Sequence, residues 1–239
     1  MAAIVLDGKQ IALEIEEELK VRIANLEDSG VTPCLAVVIV GDDPASHVYV
    51  SSKERACARL GIRSIRVDIS ADAEYGEVVS NVRRLNADPA VNGILVQSPL
   101  PNSMDEIAIT DLIDPVKDVD GFHAQNLGRL IQGDVSGLLP CTPAGVMRML
   151  ESADVDLSGK RAVVIGRSRI VGMPQSILLA QKGVDATVTI AHSRSVEMAT
   201  LCKEADVIIA AVGISNTVSY THLRAHETKA NLVCRLLLE

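Results

Sequence analysis

The chain has 239 residues, 48% of them hydrophobic and 23% charged, and a net charge of −8. This composition suits a globular protein of one large or two small domains, and the lack of a dense Lys/Arg cluster excludes the phosphate-backbone binding on which nucleic-acid recognition rests. Three tyrosines and one phenylalanine are the only aromatic residues, so the core is expected to consist of Val, Ile, Leu and Ala, as in a buried parallel sheet.

Residues 1–7 have neither a basic start nor a long apolar run, which predicts neither a signal peptide nor a membrane span. Residues 8–28 place Ile11, Ile15, Leu19, Ile23 and Leu26 at helical spacing. A buried strand follows at 35–40, helices at 46–60 and 74–87, and a strand at 93–97. The stretch 126–143 holds Gly128, Gly133, Gly137, Pro140 and Pro143 with few periodic apolar positions, and reads as a domain boundary. Thr142-Pro143 starts a helix over 143–153. Strands are expected at 162–166, 186–190 and 207–212. Strands alternating with helices predict an α/β protein with mainly parallel sheets in two domains. Five cysteines (Cys34, Cys57, Cys141, Cys202, Cys234) form no CxxC pair. They predict reduced thiols in a cytoplasmic protein and no metal site.

Val163-Val-Ile-Gly166 is a strand running into a glycine turn, and Gly172-Met-Pro174 enters a helix. Free N–H groups in the first turn of such a helix bind phosphate, aided by the helix dipole. The pattern is not G-x-G-x-x-G: Ser168 stands at the middle glycine position and Gly172 comes one residue late. An ordinary βα turn is the competing reading. Sites selective for NAD place an acid at the end of the next strand. Here that strand runs into Ala191-His192-Ser193-Arg194 with no acid. Arg194, Ser193 and Arg167 suit a 2′-phosphate, which predicts NADP.

Tyr49 and Lys53 are four residues apart and share a helix face. A lysine amine in a partly apolar pocket can shuttle protons, and a phenol can stack on a flat ring. A solvated surface lysine is the alternative. Gln97 ends a strand, at the carboxyl end of which α/β sites form. Asp118-Val-Asp120-Gly121-Phe122-His123 is a turn carrying two acids.

Taken in order, these segments resemble the bifunctional methylenetetrahydrofolate dehydrogenase/methenyltetrahydrofolate cyclohydrolase family, from the N-terminus to about Gly213. The segments are Asp42-Asp-Pro-Ala-Ser46 with Tyr49-Val-Ser-Ser-Lys53, Gly93-Ile-Leu-Val-Gln97 with Pro99-Leu-Pro101, Lys117-Asp-Val-Asp-Gly-Phe-His123, Pro140-Cys-Thr-Pro143 and Gly166-Arg-Ser-Arg-Ile-Val-Gly172. The resemblance implies a folate-binding catalytic domain over 1–140 and an incomplete Rossmann-like NADP-binding domain over 141–214, with the active-site cleft between them. It implies oxidation of 5,10-methylenetetrahydrofolate and hydrolysis of the product to 10-formyltetrahydrofolate, in one-carbon metabolism and purine biosynthesis, by a cytoplasmic homodimer. Lys53 is then the main catalytic group. Tyr49 packs on the folate, Gln97 tunes Lys53, and Asp120 binds the polar edge of the pterin. Ser46 and Cys141 line the site, and Gly166, Arg167, Ser168, Gly172, Ser193 and Arg194 hold NADP.

Two departures stand out. Ser98 occupies a position where the family usually has Leu. The family's C-terminal strand, glycine loop and long helix have no counterpart in 215–239, where the β/α rhythm stops. That segment reads as a non-native tail, or else as a lineage-specific helix over 230–239, and the chain as written is expected to be weakly active or inactive. Two other readings remain: a short-chain dehydrogenase, because Tyr49 and Lys53 fit Y-x-x-x-K, and an inactive or regulatory NADP-binding module.

Overall fold

A computed structural model of the chain describes residues 5–134 and 136–214. The reading of 215–239 as a tail lies outside the described residues. The chain divides into two compact units. One holds Ala12–Leu127 with Ser136–Leu138. The other takes in Ile11 and the residues before it, the stretch from Gly128, and the chain from Leu139 onward.

The first of these units is a three-stranded parallel sheet. Its strands are β1 (Cys34–Val40), β2 (Arg63–Ile69) and β3 (Gly93–Val96), in the order β2-β1-β3. Its helices are α1 (Gly8–Asp28), α2 (Pro44–Leu60), α3 (Tyr75–Ala87), the short α4 (Glu106–Thr110) and the start of α5 (Ala124–Ile131). Side chains alternate across β1, as a strand requires. Ala36, Val38 and Val40 pack with Val78, Val82 and Leu85 of α3, and with Ile94, Ile109 and Ile113. Val37 and Ile39 face the other way, with Leu95 and Val50 of α2. Only Ile23 of α1 is buried, and Leu26, expected on the same apolar stripe, is exposed.

The other unit is a second parallel sheet, of β4 (Arg161–Ile165), β5 (Thr187–Ala191) and β6 (Val207–Ala210), in the order β5-β4-β6. Helices α6 (Cys141–Ser152) and α7 (Gly172–Ala180) contribute Val146, Leu150 and Leu179 to one face, against Ala162 and Val164. Cys202 of α8 (Met198–Glu204) packs on the other face with Val163 and Ile165.

Among the described residues no helix is long and apolar enough to cross a membrane. Among the described residues Cys34, Cys57, Cys141 and Cys202 form no disulfide, and burial pushes the Cys57 and Cys202 thiols up.

Candidate active site

Helix α2 begins directly after β1, and its start is well specified. Asp43 caps it by accepting the Ser46 N–H at 2.8 Å, and Pro44 occupies the first turn, where a missing N–H costs nothing. Gly61 ends it in the left-handed conformation with φ 75°. The helix therefore has a fixed phase, which places Ser46, Tyr49 and Lys53 on successive turns. Ser46 is buried, Tyr49 is 38% exposed and Lys53 is half-buried. On the outer side Arg66 of β2 contacts His47 Nδ1 at 2.8 Å and pairs with Glu54 at 3.5 Å, tying the helix to the sheet edge.

Lys53 Nζ donates to Gln97 Oε1 at 3.0 Å and lies 5.8 Å from the centre of the Tyr49 ring. That distance lies within cation–π range. Gln97 sits just past the end of β3. Its N–H bonds the Val38 carbonyl at 2.8 Å, and its Nε2 donates to the Ser98 carbonyl at 2.7 Å. Both ends of the amide are thus engaged, so its oxygen faces the lysine.

Asp120 completes the group. Its carboxyl is raised to about 6, first by burial and further by the Asp118 charge, while Lys53 pulls it down. Asp120 and Asp118 line a small cavity together with Thr110, Phe122, Ser98 and the strand residues Ile94 to Val96. Asp118 is 1% exposed and pairs as an isolated parallel bridge with Ile94.

The structure thus brings Lys53, Tyr49, Gln97 and Asp120 together, with Ser46 one turn before Tyr49. Lys117 and Asp118 were not singled out from the sequence. Lys117 Nζ donates to the carbonyls of Asn86 at 2.8 Å and Asp88 at 2.9 Å, at the C-terminal end of α3. The available signal was the two-residue spacing of Asp118 and Asp120, which in extended chain puts both on one face. His123 accepts the Gln125 N–H on Nδ1 at 2.9 Å, at the start of α5.

The remaining expected residues lie in the other unit. Cys141 is exposed on the first turn of α6. Gly166 follows β4 with φ 120°, and a side chain there would collide with the Ala211 carbonyl. A Cβ on Gly172 would collide with the Gly166 carbonyl, so only glycine lets α7 start this close to the strand end.

The expectation of free N–H groups in the first turn of α7 needs correction. Gly172 N donates to Ser168 Oγ at 3.4 Å, Met173 N to the Ser168 carbonyl at 3.0 Å, and Gln175 N to the Val171 carbonyl at 2.9 Å. Pro174 has no N–H. A serine in place of the middle glycine carries a side chain that caps the helix itself. Arg167, Ser168, Ser193 and Arg194 are all exposed. Behind Ser193 and Arg194 the turn is held by the Arg194 N–H on His192 Nδ1 at 3.2 Å and the His192 N–H on Ser195 Oγ at 3.0 Å. Two arginines, two serine hydroxyls and no acid at the end of β5 fit a phosphorylated ribose better than a free one.

Two family models match the chain. The tetrahydrofolate dehydrogenase/cyclohydrolase catalytic domain covers residues 6–120, and the NAD(P)-binding domain of the same family covers 140–229. The bifunctional protein FolD of Aromatoleum aromaticum is 50% identical over 213 residues, which is 89% of this chain and 72% of that one. Among solved structures, FolD of Campylobacter jejuni superposes with a TM-score of 0.90 at 42% identity, covering 93% of this chain and 78% of that one. The Trypanosoma brucei enzyme, solved with NADP cofactor and an inhibitor, gives a TM-score of 0.85 at 36% identity, covering 90% of this chain and 73% of that one. With both domain models matched in order and these relatives spanned over most of their length, the chain belongs to the tetrahydrofolate dehydrogenase/cyclohydrolase family.

Proposed function

We propose that this chain oxidises 5,10-methylenetetrahydrofolate to 5,10-methenyltetrahydrofolate with NADP, and hydrolyses that product to 10-formyltetrahydrofolate. The observation that carries the reading is the Lys53 amine held on Gln97 at 3.0 Å beside Tyr49 and Asp120.

NADP, when bound, accepts the hydride that leaves the methylene carbon. The work of the chain is to place the folate and to move protons. The exposed Tyr49 ring offers a flat face for the folate, and an ionised Asp120 accepts hydrogen bonds from donors on the pterin edge. Lys53 orients the one-carbon unit. Oxidation leaves a cation, which a permanently charged ammonium beside it would repel. In the hydrolytic step a neutral Lys53 amine takes a proton from water as its oxygen adds to the methenyl carbon. The ammonium returns that proton to the ring nitrogen as the carbon–nitrogen bond breaks, and the hydroxyl on the carbon releases its proton to solvent as it becomes the formyl carbonyl. Gln97 holds Nζ in place through both protonation states, since its carbonyl accepts from either. Ser46 lines the site in a smaller role.

Gly166, Arg167, Ser168, Gly172, Ser193 and Arg194 would hold NADP, with the two arginines and Ser193 toward the 2′-phosphate. We place the change of domain near residue 140, consistent with the gap between the two family models. A homodimer in the cytoplasm completes the proposal, with the product feeding purine biosynthesis. The unbridged thiols support the compartment, and the position of β5 at the edge of the described sheet supports the pairing.

The test is a pair of assays on the 239-residue chain. One follows reduced coenzyme with NADP and with NAD; the other follows loss of the methenyl substrate. Turnover in both, weak as the reading of 215–239 implies, with NADP preferred, is expected. A folded chain inactive in both contradicts the reading.

A further inference from the structure

The geometry points to Asp118 as a positioning residue for this site, one that fastens the segment after Asp120 and so fixes where the Asp120 carboxyl stands relative to Lys53. The inference rests on the proposed role of Asp120 in binding folate. Asp118 is 1% exposed, and one of its oxygens, Oδ2, accepts two hydrogen bonds. The His123 N–H reaches it at 2.8 Å and the Asn126 Nδ2 at 2.9 Å. Asn126 is equally buried, and its Nδ2 also donates to the Pro115 carbonyl at 2.8 Å. Both bonds run forward in the chain, across Asp120, Gly121 and Phe122, and close that turn against the start of α5.

The backbone before Asp118 is anchored independently. The Ile94 N–H donates to the Lys117 carbonyl at 2.7 Å, and Lys117 Nζ grips the end of α3. Asp120 thus sits in the chain between two anchored points, the Lys117 carbonyl before it and the His123 N–H after it. A buried acceptor serving one buried and one part-buried donor holds strongly, because losing it leaves both bonds unmade.

Charge adds a second effect. Asp120 is faced by Lys53 from α2 and by Asp118 from its own segment. Burial is the main reason its carboxyl is raised, the lysine opposes, and the Asp118 charge adds to the rise. Asp118 therefore holds Asp120 in place and resists its ionisation.

Two substitutions separate these effects. Asp118→Asn can keep an oxygen at the Oδ2 position for both donors, and removes only the charge. Asp118→Ala removes the acceptor. The readouts are the folate KM of each variant and the titration of the Asp120 carboxyl by carbon-detected NMR on the full chain. Asp118→Ala is expected to raise the folate KM at least ~10-fold with NADP affinity unchanged, the scale of one lost charge-assisted bond. Asp118→Asn should restore most of that loss and move the Asp120 midpoint down toward the ordinary carboxylate range. The assignment is overturned if Asp118→Ala folds and keeps the parent KM, or if Asp118→Asn leaves the Asp120 midpoint where it was. Should Asp118→Ala not fold, the Asp118→Asn titration decides alone. Asp120→Asn, measured in parallel, tests the underlying reading: an unchanged folate KM there would remove Asp120 from the folate site, while the titration would still report whether Asp118 governs it.

Discussion

Lys53 and Gln97 are 44 residues apart in sequence and meet at 3.0 Å, one from the third turn of α2 and the other from the residue after β3. Each is held by its own element. The helix is capped by Asp43 and Gly61, and the Gln97 backbone is bonded to β1 through Val38. The pair is therefore set by the sheet, whose strands β1 and β3 end side by side. Catalytic groups gain from such rigid placement, because the positioning is built in before substrate arrives.

The pH dependence of folate binding follows from Asp120. Its carboxyl titrates at about 6, and only the ionised form is a full acceptor for pterin donors. The folate KM is expected to rise as pH falls through about 6, and a KM flat from pH 7.5 to 5 contradicts the assignment.

Stability should respond in the opposite sense. The folded-state value lies above the ordinary 3.8, so the folded chain holds the proton more tightly. That contribution is fully present below about pH 4 and is lost as pH rises through about 6. At neutral pH the ionised, largely desolvated carboxyl is a net cost. Asp120→Asn should stabilise the chain at pH 7.5 by on the order of 1–2 kcal/mol while weakening folate binding. Urea titrations of parent and variant at pH 7.5 and 5 measure this, and the difference should shrink at the lower pH.

Lys117 is expected to matter for stability and not directly for chemistry. Its ammonium serves two carbonyls at the C-terminal end of α3, where a cation also favours the helix dipole. Lys117→Met should cost about 2 kcal/mol in thermal or denaturant unfolding. A loss below a few tenths of that would mean the contacts are solvent-exchanged in solution.

Gln175 offers a gain. It is fully buried on α7, its Nε2 approaches Met147 Sδ at 3.4 Å, and its Oε1 has no partner among the described residues. A buried orphan acceptor is costly, and Gln175→Met has similar volume without it. Unfolding of that variant should require about 1–2 kcal/mol more than the parent. A less stable variant would show that the amide has a partner in solution.

Much of the fold was legible because burial and periodicity agreed. The α1 limits match the predicted 8–28, β3 and β6 lie within the apolar runs read as strands, and β1, β4 and β5 each extend one residue beyond theirs. Strand β2 was missed because Arg63-Ser-Ile-Arg-Val-Asp-Ile69 alternates polar and apolar residues, as a half-exposed edge strand does. Helix α5 was hidden in a stretch whose glycines read as linker, yet its Gly128 is accommodated within a regular turn. At the site, Lys53, Tyr49 and Gln97 were candidates by type and spacing, and their roles came from the family resemblance. Sequence could not say which acid of the Asp118/Asp120 pair is buried and structural, since that depends on Asn126 and His123 closing back on Asp118. Nor could it show that the Ser168 hydroxyl would take the amides expected to stay open at the start of α7.

The most direct test of the central claim is the cyclohydrolase rate of Lys53→Met, measured in the full chain alongside the parent, with folding checked by circular dichroism. Loss of nearly all turnover is expected, because both proton transfers of the hydrolysis run through Lys53. A folded variant that hydrolyses the methenyl substrate at the parent rate would contradict it.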